Sequence, residues 1–466
     1  MAQTDGHMPP AQAAAGEARA LIRIGLPLVG SHLAQVAIQT TDTVMLGWYH
    51  VEALAAASLA GPVFFVIFLL GSGFALAVMP MVASAAGTGD DRHVRRVTRM
   101  GLWLSILYGL VVTPLLFFGT ELFTAMGQTP ELSSDAGLYI SILGLGMTPA
   151  LMVMVMKSYF SALELTRAIL VVTLASAGLN AILDYAMIFG NWGLPEMGLR
   201  GAGYASVIGQ LFGVVLLAGY ATIRTPQYEL FKNFQRPDWE AFGQVFRLGW
   251  PIGGQLLAEV GLFAFSSVMM GWVGVVPLAA HGIALQIASI TFMVHLGLSQ
   301  AATVRGGRAW GQRDRATLRA AAVSGVMLSL AAAVAIILLF LGAPDLLIGL
   351  FVDPADPARP EILTLGAIFL AVAALFQFFD SAQVMGAGLL RGVHDTHVPM
   401  ILAGVAYWAI GLPVAYWLGF PAGMGGVGIW LGLTVGLAVA AATMQYRFWT
   451  RYVWTPARAA VTPPPF

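Results

Sequence analysis

The chain has 466 residues, 58% hydrophobic and only 10% charged, with 23 basic residues against 23 acidic ones and a mean hydropathy of +0.79. That make-up excludes an ordinary soluble globular protein and points to a membrane protein, with the lipid bilayer and no nucleic acid as its surroundings. The absence of cysteine excludes disulfides, thiolate catalysis and cysteine-bound metal.

Residues 1–17 are rich in Ala, Gly and Pro, with mixed charge and no compact apolar run before a cleavage site, so a short flexible tail and not a signal peptide is expected. Apolar segments then recur, each long enough for the ~20 residues that cross a bilayer. They fall roughly at 18–46, 53–85, 95–119, 134–157, 167–190, 201–223, 241–270, 277–304, 317–342, 360–389, 397–419 and 427–449. The predicted fold is an all-α membrane protein of twelve transmembrane helices: an N-lobe (18–224), a linker (225–240), a C-lobe (241–452) and a C-terminal tail (453–466). No large water-soluble domain is left over.

The two lobes are repeats. Residues 23–60 align with 247–284 at a constant offset of 224 without a gap, and the matches include Arg23/Arg247, Gly25/Gly249, Pro27/Pro251, Gly30/Gly254, Gly47/Gly271 and Trp48/Trp272. The register continues to Gly73/Gly297, Gly87/Gly311 and Asp90/Asp314. Prolines, tryptophans and spaced glycines are matched, not only common apolar letters, so two homologous halves are inferred.

Orientation follows from the bases. Twenty-one of 23, including the runs at Arg92–Arg99 and Arg305–Arg319, fall at the termini or in loops on one side, against Arg200 and Arg359 on the other. By the positive-inside rule both termini are cytoplasmic. Lys157 and Arg391 are counted here as loop residues flanking spans 4 and 10.

Along the chain, span 1 carries Ser31, Gln35 and Asp42 on one side, with Pro27 expected to loosen a turn. A carboxylate inside a membrane costs about 2.5 to 3.5 kcal/mol on insertion scales and marks function, so Asp42 is a candidate, with Ser31 and Gln35 as hydrogen-bonding contacts between helices. Span 5 adds Asn180 and Asp184 one turn apart, and Asp184 is also near enough to the outer end to snorkel. The linker Thr225–Glu240 is the longest polar interval and can tether two lobes without fixing their angle. Span 7 places Glu259 near the midplane with Gln255 and Ser266 on its face, span 8 bears His281, His295 and Ser299, and span 10 places Asp380 beside Gln377 and Ser381.

Other chemistries have no residues to carry them. There is no GxxxxGK[ST], since the two lysines follow Met156 and Phe231, and there is no HExxH and no arginine-rich span. No catalytic residues are assigned; the chain reads as a non-enzyme.

These residues resemble the multidrug and toxic compound extrusion family, in its NorM-like bacterial branch. The resemblance rests on the RxGxP opening of each half, TTDTVMLG with Asp42, NAILDYAMIFG with Asn180 and Asp184, GLRGAGYA, GGQLLAEVG with Glu259, and FFDSAQVMGAGLLRG with Asp380. It implies two six-helix lobes in a V, with a pseudo-twofold along the membrane normal, in the bacterial inner membrane. It also implies export of hydrophobic organic cations in exchange for H+ or Na+, with no cofactor and no partner beyond substrate and lipid, the protein working as a monomer. It assigns the coupling cation, including Na+, to Glu259 and Asp380, and proton-linked changes in span 1 to Asp42, Asn180 and Asp184. Gln35, Gln255, Phe376, Gln377 and His281 are the candidate cavity residues. Where some members have a tyrosine one turn before the span-10 aspartate, this chain has Phe376, which keeps a ring face for a cation but lacks the hydroxyl, so sodium is the weaker fit. The competing reading is a relative that flips a lipid-linked sugar. A phosphate-bearing cargo calls for bases in the cavity, whereas bases are expected here only in loops and at ends.

Overall fold

The structure, a computed structural model, describes residues 10–454. The expected C-terminal tail, past Trp454, and residues 1–9 lie outside the described residues. Helices dominate: α1 (Pro10–Tyr49), α2 (Val51–Thr88), α3 (Asp91–Leu116), α4 (Gly119–Ala125), α5 (Pro130–Leu145), α6 (Met147–Ala162), α7 (Thr166–Phe189) and α8 (Leu199–Arg224) in the first half. The second half has α9 (Trp239–Val273), α10 (Val275–Gly311), α11 (Arg315–Gly342), α12 (Pro344–Gly349), α13 (Arg359–Gly392), α14 (His397–Gly404), α15 (Leu412–Gly419) and α16 (Gly425–Phe448). In hydrocarbon every backbone donor and acceptor must find its partner inside the segment, and helices do this for a chain so rich in Leu, Val, Ala and Phe.

Among the described residues, eleven helices are long and apolar enough to cross a membrane, counting α14 to α15 as one; α5 with α6, bent by 44°, makes a twelfth. The bend falls at Gly146 because Pro149 in the first turn of α6 cannot donate to the preceding turn and its ring crowds the carbonyl four residues back. The expected tail is helical from Pro10 onward. Early in α1, Glu17 is bound by Arg305 of α10, with Nε to Oε2 at 2.8 Å, and the Ala14 carbonyl accepts from Ser324.

Repeat-matched residues do matched work. Asp90 caps α3 by accepting from the His93 amide at 2.9 Å, and Asp314 caps α11 by accepting from the Thr317 amide at 3.0 Å. The residue before each cap is left-handed: Gly89 at φ 74 and, in the second half, Arg313 at φ 57.

The packing divides into two compact units, 30–257 and 258–454 with 10–29. Thus α1 and α9 each change unit near the repeated proline, and the units do not follow lobe boundaries drawn through whole spans. Close backbone approach marks both seams. In the first unit, a Cβ on Gly249 would lie 2.7 Å from the Phe74 Cα, and one on Gly253 2.7 Å from the Leu70 carbonyl oxygen. In the second, a Cβ on Gly297 would lie 2.9 Å from the Val29 nitrogen. Gly249 and Gly297 are the repeat partners of Gly25 and Gly73, so the motif glycines are where small side chains let helices touch.

The linker is not a free tether. Within the first unit it is docked on α3: Arg95 pairs with Glu229 at 2.9 Å, Arg96 holds Asp238 and Glu240, Arg99 donates to the carbonyls of Asn233 and Arg236, and Trp103 Nε1 donates to the Phe234 carbonyl at 2.9 Å. The basic run that signalled orientation therefore also supplies the linker's partners, which its length alone could not show.

Candidate functional site

In the first unit, α1, α5, α6, α7 and α8 bring the polar residues together. Ser31 and Thr173 share a hydrogen bond at 2.9 Å, tying α1 to α7 as expected of interhelical contacts. Three turns further along α1, Asp42 Oδ2 accepts from Ser206 of α8 at 3.3 Å. The Asp42 and Asp184 carboxyls come within hydrogen-bonding reach of each other, with Tyr139 of α5 beside them. Asp184 is fully buried, so it faces inward and does not snorkel, and neither of its oxygens has a donor. Asn180, one turn away, is buried with both amide atoms unengaged.

Asp42 stands on the wall of a cavity of about 540 Å³ lined also by Gln39, Thr43, Ser58, Phe65 and Tyr139. A second, smaller space of about 50 Å³ is bounded by Gln35, Lys157, Thr173, Ser176, Asn180, Ser206 and Gln210. Lys157 is not a loop residue. It lies inside α6, between buried Met156 and Ser158, and its Nζ donates to Gln35 Oε1 at 3.4 Å. Gln255 also packs in this unit, buried, with its Nε2 unpartnered.

In the second unit, Asp380 of α13 is 2% exposed and lies within electrostatic range of Glu259 of α9. Arg391, three turns further along α13, acts on Glu259 as well. Side chains on a helix lean toward its N-terminus, so a long arginine there projects back toward the acids and not out to the loop. Tyr407, from the π-helical stretch between α14 and α15, joins the same cluster, with Gln383 beside its hydroxyl. The expectation that bases are confined to loops and ends fails at Lys157, inside α6, and holds for Arg391, which lies in the last turn of α13.

The remaining candidates sit in packed interior. Phe376 is buried edge-on against Phe263 (ring centroids 5.9 Å) and Trp430 (5.8 Å), and His281 meets the same Trp430 at 5.5 Å while sharing a hydrogen bond with Ser267. Gln377 donates to Thr291 at 2.8 Å. His295 bonds Ser329, and Ser299 donates to the Val384 carbonyl, joining α10 to α13.

A family model described as MatE matches residues 27–186 and 251–417, two stretches that begin at the repeat-matched Pro27 and Pro251. The chain belongs to the MATE family. It is 46% identical over 433 residues to a "Probable multidrug resistance protein NorM" of Rhizobium meliloti (strain 1021), covering 92% of each chain. To the protein of the same name in Agrobacterium fabrum it is 44% identical over 432 residues, covering 92% of this chain and 93% of that one. Its fold matches an outward-facing multidrug resistance MATE family transporter of the MOP superfamily at a TM-score of 0.85, with 20% identity over 97% of this chain and 100% of the other. This is a multi-pass membrane protein of a multidrug efflux transporter family. Sequence reasoning found the four acids of its interior and missed Lys157, Arg391, Tyr139, Ser206 and Tyr407. The signal for Arg391 was its eleven-residue spacing from Asp380, three turns on one helix face; for Lys157 it was the apolar run on both sides.

Proposed function

We propose that the chain is a secondary active exporter of hydrophobic organic cations, driven by protons entering the cell across the bacterial inner membrane, with both termini cytoplasmic and the monomer as the working unit. The observation that carries this is charge arithmetic. Each compact unit groups two carboxylates of its spans with one base: Asp42 and Asp184 with Lys157, and Glu259 and Asp380 with Arg391. Fully ionised, each set is one negative charge in excess, and a single monovalent cation neutralises it. A proton and an organic cation are then alternatives at one charge deficit, which is the condition for exchange. Each must also favour a different state of the transporter, because a ligand moves a conformational equilibrium only by its differential affinity.

The coupling ion follows from the surroundings. The guanidinium beside Glu259 repels a metal cation, and no group of three acidic or imidazole side chains is gathered to ligate one among the described residues. The Asp42 and Asp184 carboxyls, within hydrogen-bonding reach of each other, need only one shared proton to supply the donor they lack. A sodium ion at Glu259 and Asp380 is the arrangement these groups support less well, as the loss of a hydroxyl at Phe376 already indicated. The interior bases weaken the original argument against a lipid-linked sugar. Each is outnumbered two to one by carboxylates, however, and a phosphate would enter a site already in negative excess.

The test is efflux of ethidium from proteoliposomes under a pH gradient or a Na+ gradient imposed separately. Export under the pH gradient alone is expected. Export under Na+ alone would replace the coupling ion, and no ethidium transport under either, with scrambling of a lipid-linked sugar instead, would overturn the reading.

A further inference from the structure

We propose that Lys157 is the inner end of a water-bridged proton path that drains the Asp42–Asp184 pair through the first unit. The inference rests on the proton-coupled reading above and adds a residue and a route to it. The Lys157 ammonium has three donors, yet among the described residues its one hydrogen bond is the 3.4 Å contact to Gln35. It makes no ion pair within 4.0 Å among the described residues. A structural lysine in a membrane is ordinarily paired or reaches out to the headgroups; this one does neither, and no carboxylate locks it as an ammonium.

The space it faces fits water. At about 50 Å³ the cavity exceeds the ~10–15 Å³ one water needs and falls well short of the ~300 Å³ at which small-molecule sites begin. Its wall carries Gln35, Thr173, Ser176, Asn180 and Ser206, enough polar groups to hold a short water chain. Its far end meets the acids: Ser206 donates to Asp42, and Asn180 stands one turn from Asp184 with its amide unengaged. On the other side of Asp42 lies the larger cavity, about 540 Å³ and bordered by the Gly47 end of α1 and the start of α2. Asp42 thus separates a wide space toward one membrane face from a narrow polar one that leads to Lys157, five residues before α6 ends at Ala162. The charge bias makes that second face cytoplasmic.

The transfer balances without electrons changing hands. The Lys157 ammonium first releases a proton to water at the end of α6, leaving the amine. A proton then leaves the carboxyl pair for a cavity water, that water passes one to the lone pair on Nζ, and the ammonium is restored. Only a base that gives up its proton can do this; a guanidinium cannot be deprotonated in a protein.

That difference supplies the test. Lys157→Arg keeps the positive charge and a donor to Gln35, and Lys157→Met removes both. In proteoliposomes, both variants are expected to lose at least tenfold in ethidium export driven by a pH gradient and to flatten its pH profile. Lys157→Arg exporting at the wild-type rate with the wild-type pH profile would overturn the relay and leave Lys157 a structural charge. Folding is controlled by the arginine variant and by gel filtration of both. Because the chain has no cysteine, Lys157→Cys gives a single thiol for a membrane-impermeant cationic methanethiosulfonate. Labelling from the cytoplasmic face is expected, and no labelling from that face overturns the path whatever the coupling ion. Wild-type export indifferent to the pH gradient overturns the proton-coupled reading itself, a different failure from an active arginine variant.

Discussion

Replacing Arg391 with Gln tests whether the second unit counts charges as described. The substitution leaves an amide on a shorter side chain and removes the cation that acts on Glu259 among the described residues. The two are not in ion-pair contact within 4.0 Å, so the interaction acts across a gap. At an effective dielectric of about 20, unit charges roughly 5–8 Å apart interact by about 2–3 kcal/mol. Both groups are part-buried and not sealed, so the lower figure applies: a loss of about 2 kcal/mol, or roughly thirtyfold in the folding equilibrium. Adding Glu259→Gln removes the charge left without a partner. The double variant should then recover most of the loss, with a coupling of about 2 kcal/mol in the cycle. The assay is equilibrium unfolding of the purified proteins in mixed micelles, single and double variants side by side. Strictly additive losses, or no loss from Arg391→Gln, would refute the reasoning, since either result means that the guanidinium does not offset Glu259.

Three further outcomes follow. Glu259→Gln and Asp380→Asn should each cut pH-gradient-driven ethidium export at least tenfold while membrane insertion and detergent stability hold, because the amides keep size and hydrogen bonding; normal export by both would demote the pair to structural residues. Gly249→Val forces a side chain against the backbone at Phe74 and should lower stability by about 1–3 kcal/mol or more, read as a fall in melting temperature; an unchanged melting temperature would mean that the α2–α9 seam is loose. In the linker, the Arg96 guanidinium beside Asp238 holds its carboxyl below the usual 3.8. A depressed carboxylate contributes stability above its unfolded value and loses it as pH falls through the folded one, so docking of 226–238 on α3 should persist at neutral pH and fail below about pH 3.8. Asp238→Asn should mimic that loss at neutral pH as faster trypsin cleavage after Lys232, and wild-type cleavage rates in the variant would count against it.

How much of this was readable in the letters depends on what each feature asks of a residue. The spans needed only apolar length, and the repeat needed only matched Gly, Pro and Trp, so both were plain. The acids stood out because a carboxylate in an apolar run has no bland excuse. The bend at Gly146 was missed because one helix broken by a proline has the same hydropathy as one straight span. Lys157 and Arg391 were missed for a related reason: both lie within a turn or two of a helix end, where a base is usually a topology marker, and whether a long side chain turns inward or outward is decided by packing on neighbouring helices that a single sequence does not display.

The repeat explains why those bases matter more than their positions suggest. Asp42 and Glu259 occupy different places in the aligned halves, as do Asp184 and Asp380, and as do Lys157 and Arg391. The scaffold residues Gly25/Gly249, Gly73/Gly297 and Asp90/Asp314 have kept their register. Backbone contact and helix capping depend on local geometry, which tolerates no displacement along the helix, so those residues are pinned. Net charge inside a low-dielectric unit depends on the sum and only weakly on which helix supplies each group. Two halves can therefore drift apart in where they carry acids and bases while each still holds two of one and one of the other. An acid added to or removed from either unit should accordingly be tolerated better when a base changes with it than when it changes alone.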